Sequence, residues 1–497
     1  MTRLNATQLI DLVLDDGSWS SWDSRPERGR ISEQYAADLA RAEEKSGVDE
    51  AVLTGEGLLK GRRVAVVMGE FGFLAGSIGR AATDRLVTAI ERATTEGLPL
   101  LAGPVSGGTR MQEGTPAFVQ MVRITAAVAA HKDAGLPYLV YLRHPTTGGV
   151  MASWGSLGHV TVGEPGALLG FLGPRVYEAL YGKEFPQGVQ TAENLHERGI
   201  IDAVVAPEDI AEILDRALTI LMAPRQGIEP VARPADAFYD GTPDIETWDA
   251  VVRSRRTDRP GVRGLLRHAA SDVVPLNGTG QGEQDPGLFI ALVRFGQAPC
   301  VFLGQDRRTQ AGHPLGPEAL REARRGMRLA SELGLPLLTV IDTQGAALSP
   351  EAENGGLAGE IARCLSDLVT LDAPTLSLML GEGTGGGALA LLPADRVVAA
   401  QHAWLSPLPP EGASAIVHRD IEHAPEMARA QRVRAQDLAA LGIVDLIVAE
   451  RPDAAEEPEA FCRRVGAVLE HELAGLLSSG AGSPGDRARR YLGRPEQ

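Results

Sequence analysis

One series of segments occurs twice in this chain, and it restricts the fold more than any other feature. LPLLAGPVSGG (98–108) reads as a buried strand ending in glycines. LPYLVYLRHPTTGGVMAS (136–153) repeats the idea as strand, glycine pair and helix start. GHVTVGEPGALLGFLGP (158–174) and GIIDAVV (199–205) follow. The second half has LPLLTVIDTQGA (335–346), APTLSLMLGEGTGGGALA (373–390), DRVVAAQHAWLSPLPPEGA (395–413) and GIVDLIV (442–448) in the same order. Gly107 to Gly148 spans 41 residues, and so does Gly345 to Gly386. Segments with apolar residues at helical spacing, 118–135 and 358–373, lie between the strands. Strands alternating with helices predict parallel βαβ units, and the duplicated order predicts two α/β domains.

The glycines need a physical reason, since each costs about 0.5–1 kcal/mol relative to alanine in regular structure. At a strand-to-helix turn a glycine pair permits positive φ and lets backbone N–H groups approach a ligand with no Cβ in the way. The helix start behind it adds unpaired donors and the positive end of a dipole. The combination is an anion cup, or an oxyanion hole if the charge develops during reaction. Phosphate motifs fit less well. The run GEGTGGGALALL (381–392) lacks the lysine of a Walker loop, and Gly381, Gly383 and Gly386 match the dinucleotide fingerprint only loosely, with no acid suitably placed after the next strand.

Composition narrows the function further. A formal net charge of −17 argues against nonspecific binding of nucleic acid or an anionic membrane. There is no apolar run of transmembrane length, and the N-terminus lacks the pattern of a secretory signal, so a cytoplasmic protein is expected. Cys300, Cys364 and Cys462 lie far apart, which predicts reduced thiols and neither a zinc site nor disulfides. No Ser/His/Asp order and no paired carboxylates are expected at the strand ends. His131 and His159 read as structural, His144 lies close to the first cup, and Glu113 reads as an acid at a helix start.

The quoted segments carry a resemblance. From GEGLLKGRRVAVVMGEFGFLAGSIG (55–79) through SGGTRMQEG and PTTGGVMASWGSLGHVTVGEPGALLGFLGPRV, the chain resembles the beta subunit of the carboxyltransferase component of bacterial acetyl-CoA carboxylase. From ALREARRGMRLASELGLPLLTVIDTQGA through GEGTGGGALALL, PPEGASAI and LGIVDLIV it resembles the alpha subunit, as if the two were fused. The resemblance implies an α/β fold of two tandem crotonase-like (ClpP/crotonase) β-β-α superhelix domains. It also implies transfer of carboxylate from carboxybiotin to acetyl-CoA or another short acyl-CoA, acetyl-CoA giving malonyl-CoA. The acyl-CoA side falls in the first half, where Ser106, Gly107, Gly108, Gly148 and Gly149 flank the thioester and Arg110 meets either a CoA phosphate or a surface ion-pair partner. The biotin side falls in the second half, at Gly386 and Gly387 with Gly345 and Ala346 nearby. Gly148, Gly149, Gly386 and Gly387 are the catalytic candidates.

The expected organisation is an N-terminal helical segment (1–50), a beta-type domain (51–225), a connector (226–285) with a short helix at ETWDAVVRS, an alpha-type domain (286–470) and a flexible tail (471–497). Departures from the family pattern are the lack of a four-cysteine zinc ribbon, Gln344 in DTQGA where the family has proline, and Asn354 and Gly355 in place of charged residues. With no Met-Lys-Met site and no ATP-grasp region, the implied biotin arrives on a separate biotin carboxyl carrier protein charged by a biotin carboxylase. A homo-oligomer, a dimer or larger, is expected, in a head-to-tail arrangement that sets one chain's first cup against another's second. Two other readings stay open from sequence: a biotin-independent malonyl-thioester decarboxylase of the same fold, and a non-catalytic acyl-CoA-binding scaffold.

Overall fold

The computed structural model describes residues 3–224, 231–242, 244–479 and 484–492. The chain divides into two compact units, Met1–Met222 with Gly280–Gly282, and Ala223–Thr279 with Glu283–Gln497.

Among the described residues, the first unit forms a seven-stranded sheet whose spatial order follows the chain: β1 (Ser20–Ser21), β2 (Val52–Leu59), β3 (Arg62–Gly69), β4 (Leu100–Gly103), β5 (Tyr138–Leu142), β6 (Val160–Gly163) and β7 (Ala203–Val204). The first three pair antiparallel, and β3 to β7 run parallel. β4 and β5 are buried along their whole length, as parallel strands covered on both faces must be. Helices α1 (Ala6–Val13) and α2 (Glu33–Ser46) precede the main sheet. α1 opens on a capping box between Asn5 and Gln8, while Tyr35, Leu39 and Ala42 of α2 bury against Ala51 and Phe73. α3 (Arg80–Thr95) and α4 (Thr115–Asp133) pack together on the sheet through Ala82, Leu86, Ile90, Ile124 and Val128. These positions recur at helical spacing, which is why the segments fold as helices rather than strands.

The second unit repeats the plan. β8 (Asp272–Pro275), β9 (Leu288–Phe295) and β10 (Ala298–Gln305) are antiparallel, and β11 (Leu337–Thr343), β12 (Thr375–Thr384), β13 (Arg396–Ala400) and β15 (Leu446–Val448) continue in parallel, with β14 (Trp404–Ser406) beside the end of β12. Every residue of β11 and β12 is buried, polar ones included. Besides α5 (Gly148–Met151) and α6 (Ile210–Leu221) of the first unit, the helices include α7 (Thr247–Ser254), α8 (Pro317–Leu333), α9 (Leu357–Val369), α10 (Gly385–Leu389), α11 (Pro458–Ser479) and α12 (Pro484–Leu492) of the second. α8 contributes Ala319, Ala323, Met327, Ala330 and Leu333 to the interior. The two sheets have the same sequence of pairings, so the duplication inferred from the amino acids is a duplication of the fold.

Two expectations are corrected. The segment 226–285 is not a separate connector over its described residues: β8 forms an edge of the second sheet, and Val251 of α7 is fully buried with Trp404 and Ala428. The tail is not free from residue 471. Residues up to Ser479 extend α11, and α12 is anchored by Arg487, whose side chain is buried and donates to the carbonyls of Leu368, Leu371 and Ala373 and to Asp395. A composition rich in Arg, Gly and Ser suggested mobility, but one arginine with four acceptors outweighs it. The remaining tail and connector residues, 225–230, 243, 480–483 and 493–497, lie outside the described residues. Among the described residues, no helix is long and apolar enough to cross a membrane. The three cysteines are buried and unpaired, and burial pushes the Cys364 and Cys462 thiols up to about 12.

Replacing Arg487 by Met should lower the thermal midpoint of the second unit, because it leaves Asp395 partly buried without its cation, a loss of about 3 kcal/mol. His131 of α4 is fully buried against Thr94 and the Pro137 carbonyl, and burial pushes its imidazole down to about 4. Between that value and the ordinary 6.5 the unfolded chain binds a proton that the native one does not, so stability rises with pH across this window. The contribution, about 3 kcal/mol, is complete above pH ~6.5 and lost as pH falls towards ~4. Thermal unfolding between pH 4.5 and 7.5 should show this slope in the native chain and a shallower one in His131→Gln.

Candidate active site

Each unit builds its cup from the end of one parallel strand and the start of a short helix after the next. In the first unit, β4 runs into Ser106–Gly107–Gly108, and β5 leads to Thr146–Thr147 and then α5 (Gly148–Met151). A parallel bridge joins Ser106 to Thr146, with Ser106 N–H donating to the Pro145 carbonyl (2.7 Å) and Thr147 N–H to the Ser106 carbonyl (2.9 Å). Gly108 lies at φ +113° and Gly148 at φ +64°, conformations that favour glycine. A Cβ on Gly148 would stand 3.1 Å from the Gly108 Cα, so the two turns meet backbone to backbone.

The amides around this contact divide into two kinds. Gly107 donates to the Ala75 carbonyl (2.8 Å), Gly108 to Ser106 Oγ (2.9 Å) and Gly148 to the Phe171 carbonyl (2.8 Å). These bonds shape the turn. Gly149 is the second residue of α5, where helix geometry supplies its N–H with no acceptor. A Cβ there would come within 3.2 Å of Thr109 Oγ1 and 3.3 Å of Met121 Cγ.

The second cup reproduces the geometry. Thr343 at the end of β11 accepts the Gly345 N–H on Oγ1 (3.1 Å), as Ser106 does for Gly108. Gly345 lies at φ +119° and Gly385 at φ +66°. The equivalent pairs are therefore Gly108 with Gly345 and Gly148 with Gly385, 40 residues apart in each half. The 41-residue match of Gly107 with Gly345 and of Gly148 with Gly386 is one position out. The extra glycine in TGGGA hides the register from sequence; backbone conformation reveals it. Gly386 and Gly387 are the second and third residues of α10, so their amides are first-turn donors. A Cβ on Gly387 would lie 3.3 Å from the Ala346 nitrogen. The turn around Ala346 and the helix start therefore close on a cradle that a side chain would fill.

The second cup has props the first lacks. Buried Gln305 donates from Nε2 to the Gly387 carbonyl (2.8 Å), and its Oε1 accepts from the Asp342 N–H (3.2 Å). Buried Gln310 takes the Thr343 hydroxyl on Oε1 (2.7 Å) and donates to the Gly287 carbonyl (3.0 Å). The hairpin register puts Gly69 where Gln305 stands, against the backbone of Val105. Sequence reading missed both glutamines, because nothing local marks a buried glutamine at a strand end. It also missed a pair of acids. Asp342 and Glu382, at the ends of neighbouring strands, are buried, and Asp342 Oδ1 accepts the Glu382 N–H (3.2 Å). This corrects the expectation that no paired carboxylates stand there. Burial raises the pKa of both, opposed by Arg307 at Asp342 and by Arg255, 3.1 Å away, at Glu382.

Other single residues are relocated. Arg110 neither meets a CoA phosphate nor lies on the surface. Its guanidinium is buried and pairs with buried Glu50, donating also to the Ser77 carbonyl (2.6 Å). Glu113 does meet a helix N-terminus, but that of α3, by accepting the Arg80 N–H (2.7 Å). His144 Nδ1 accepts the Leu168 N–H (3.0 Å), which makes it part of the loop framework. His159 Nδ1 accepts the Tyr138 N–H (3.0 Å).

Comparison with known proteins agrees with this geometry. The carboxyl transferase domain family matches residues 1–478. The chain belongs to this family. It is 61% identical over 478 residues to the probable biotin-dependent acyl-coenzyme A carboxylase beta3 subunit of Mycobacterium tuberculosis, covering 96% of this chain and 95% of that protein. It is 36% identical over 521 residues to the acetyl-coenzyme A carboxylase carboxyl transferase subunits beta/alpha of Salinispora tropica, covering 99% and 91%. Among solved structures, the 12S transcarboxylase crystallised with hydrolysed methylmalonyl-coenzyme A has the same fold, with a TM-score of 0.74 at 22% identity over 94% of this chain and 89% of that one. The α/β, crotonase-like architecture implied by the sequence is therefore shared with carboxyl transferases.

The two positive-φ helix starts differ in what surrounds them, and so should their variants. Gly148→Ala meets both strain and the Gly108 backbone, and should slow carboxyl transfer by about 10²-fold. Gly385→Ala has its nearest neighbour, the Pro407 carbonyl oxygen, at an ordinary 3.5 Å. It should carry only the conformational cost of about 1–2 kcal/mol and slow transfer by about tenfold. Steady-state rates of the two variants check this order.

Proposed function

We propose that this chain transfers a carboxyl group from carboxybiotin, borne on a separate carrier protein, to the α-carbon of an acyl-CoA. Acetyl-CoA or another short acyl-CoA is the acceptor, and acetyl-CoA gives malonyl-CoA. The observation that carries the reading is the doubled cup: one first-turn amide array per unit, in the same backbone conformation, within a carboxyl transferase. The reaction develops negative charge on two oxygens, and each backbone N–H aimed at such an oxygen lowers the barrier by about 3 kcal/mol. The names of both relatives support the acyl-CoA class.

In this reading the first cup takes the thioester. Gly149 donates to the carbonyl oxygen as it becomes an enolate, and Ser106, Gly107, Gly108 and Gly148 hold the turn that aims it. The second cup takes the ureido carbonyl of biotin. The donor set fits that group: first-turn amides of Gly386 and Gly387 suit a neutral carbonyl that gains charge, and the absence of a Cβ on Gly387, which would stand 3.3 Å from the Ala346 nitrogen, lets the two turns close together. Gln305 fixes that turn from below by holding the Gly387 carbonyl. When bound, biotin supplies the carboxyl group and, once it is given up, a basic nitrogen for the α-proton. The partners are a biotin carboxyl carrier protein and its biotin carboxylase, and the working form is a homo-oligomer in the cytoplasm. A native mass above that of one chain under assay conditions supports the oligomer, and a monomeric mass at full activity contradicts it.

The test incubates the protein with carboxybiotin and, separately, acetyl-CoA, propionyl-CoA and a long-chain acyl-CoA. Carboxybiotin should be consumed much faster with acyl-CoA present than without it, and fastest with a short chain. Breakdown of malonyl-CoA without biotin, and no transfer to any acyl-CoA, would favour the decarboxylase instead.

A further inference from the structure

Beside the first cup the backbone does something costly. Leu74, Ala75 and Gly76 follow one another at φ +45°, +55° and +65°. Two of them carry side chains, and each such residue in the left-handed region costs about 1–3 kcal/mol. The strained stretch lies against the SGG turn. The Ala75 carbonyl accepts the Gly107 N–H (2.8 Å), and Ile78 N–H donates to the Gly108 carbonyl (3.0 Å). The Arg110 N–H then donates to the Ile78 carbonyl (3.0 Å).

The Arg110 side chain grips both flanks of that stretch. It donates to the Ser77 carbonyl (2.6 Å) on one side, and its guanidinium lies over the Phe73 ring at 5.5 Å on the other. Glu50 pairs with the same guanidinium and accepts the Ala51 N–H (2.8 Å), which ties the grip to the start of β2. Tyr35 of α2 stands 3.4 Å from Arg110 Nη1 and donates to Glu113 Oε1 (2.6 Å). A buried ion pair of this kind adds little net stability over apolar packing of the same volume, so stability alone does not account for it.

We propose that Arg110 is a positioning residue that holds Leu74–Ala75–Gly76 in the left-handed conformation, so that the Ala75 carbonyl takes the Gly107 amide and seats the SGG turn against Gly148. It acts through the loop and touches no substrate. The consequence for turnover rests on the proposed carboxyl transfer.

The test is a rescue. Arg110→Lys keeps the charge but loses the fork, and Ala75→Gly removes the strain at one of the two side-chain-bearing positions while keeping the carbonyl. Two readouts are followed: hydrogen exchange over residues 105–110, which needs no substrate, and kcat and KM for acyl-CoA. Arg110→Lys should speed exchange over 105–110 and lower kcat about tenfold or more, with KM changed less than about twofold. Adding Ala75→Gly to it should restore part of both losses, because glycine adopts that position's conformation without the grip. Ala75→Val alone, with the ion pair untouched, should mimic Arg110→Lys, and it decides the matter if Arg110→Lys does not fold. The proposal is overturned if exchange over 105–110 stays as in the native chain, if exchange rises evenly across the first unit, or if Ala75→Gly restores nothing. A native chain that transfers no carboxyl group would sink the proposed function, while the exchange readout would still decide the role of Arg110.

Discussion

A gap too narrow for a methyl group governs the first cup. The turn after β4 and the start of α5 touch through the Cα atoms of Gly108 and Gly148, and a Cβ on Gly148 would stand 3.1 Å from its neighbour. Glycines allow two main chains to come this close while both turn at positive φ. The contact fixes where α5 begins, and the start of a helix is where backbone N–H groups lack partners. The sheet supplies the two strand ends, the glycines let them converge, and the converged turns present amides. In the second unit Gly345 and Gly385 supply the positive-φ turns, and the close approach is that of Gly387 to the Ala346 nitrogen.

The duplication is of geometry rather than of detail. Ser106 and Thr343 play one role with different side chains, each hydroxyl accepting the N–H two residues on. The supports beneath the turns differ more. In the first unit a strained loop and a buried Arg110–Glu50 pair surround the SGG turn, whereas in the second Gln305 and Gln310 reach up from below. Each cup is thus the same backbone device with its own polar bracing, as expected if both stabilise an oxyanion and each receives a different reactant.

Much of this was legible in the amino acids, for definable reasons. Strand, glycines and helix start leave marks within a few residues, so the repeated order, the parallel sheets and the positions of the turns at Ser106 to Gly108, Gly148–Gly149 and Gly386–Gly387 could be read directly. Conformation leaves weaker marks. TGGGA does not say which glycine turns at positive φ, so the register between halves came out one residue wrong. Long-range polar contacts leave none. Arg110 read as either a phosphate ligand or a surface ion pair because its buried partner Glu50 is 60 residues away, and Gln305, Asp342 and Glu382 gave no local sign of burial. The tail misled for the same reason, since the acceptors of Arg487 lie more than 90 residues earlier in the chain.

In the proposed function each cup receives one reactant, and separating the two half-reactions tests that most directly. Gly149→Val and Gly387→Val each place a side chain over one amide array. Acyl-CoA binding by calorimetry and CO2 release from carboxybiotin in the absence of acyl-CoA would be measured in both. Gly149→Val should weaken acyl-CoA binding and leave CO2 release near the native rate, and Gly387→Val should do the reverse. If both variants impair both measurements alike, or neither impairs either, the two cups do not serve separate reactants.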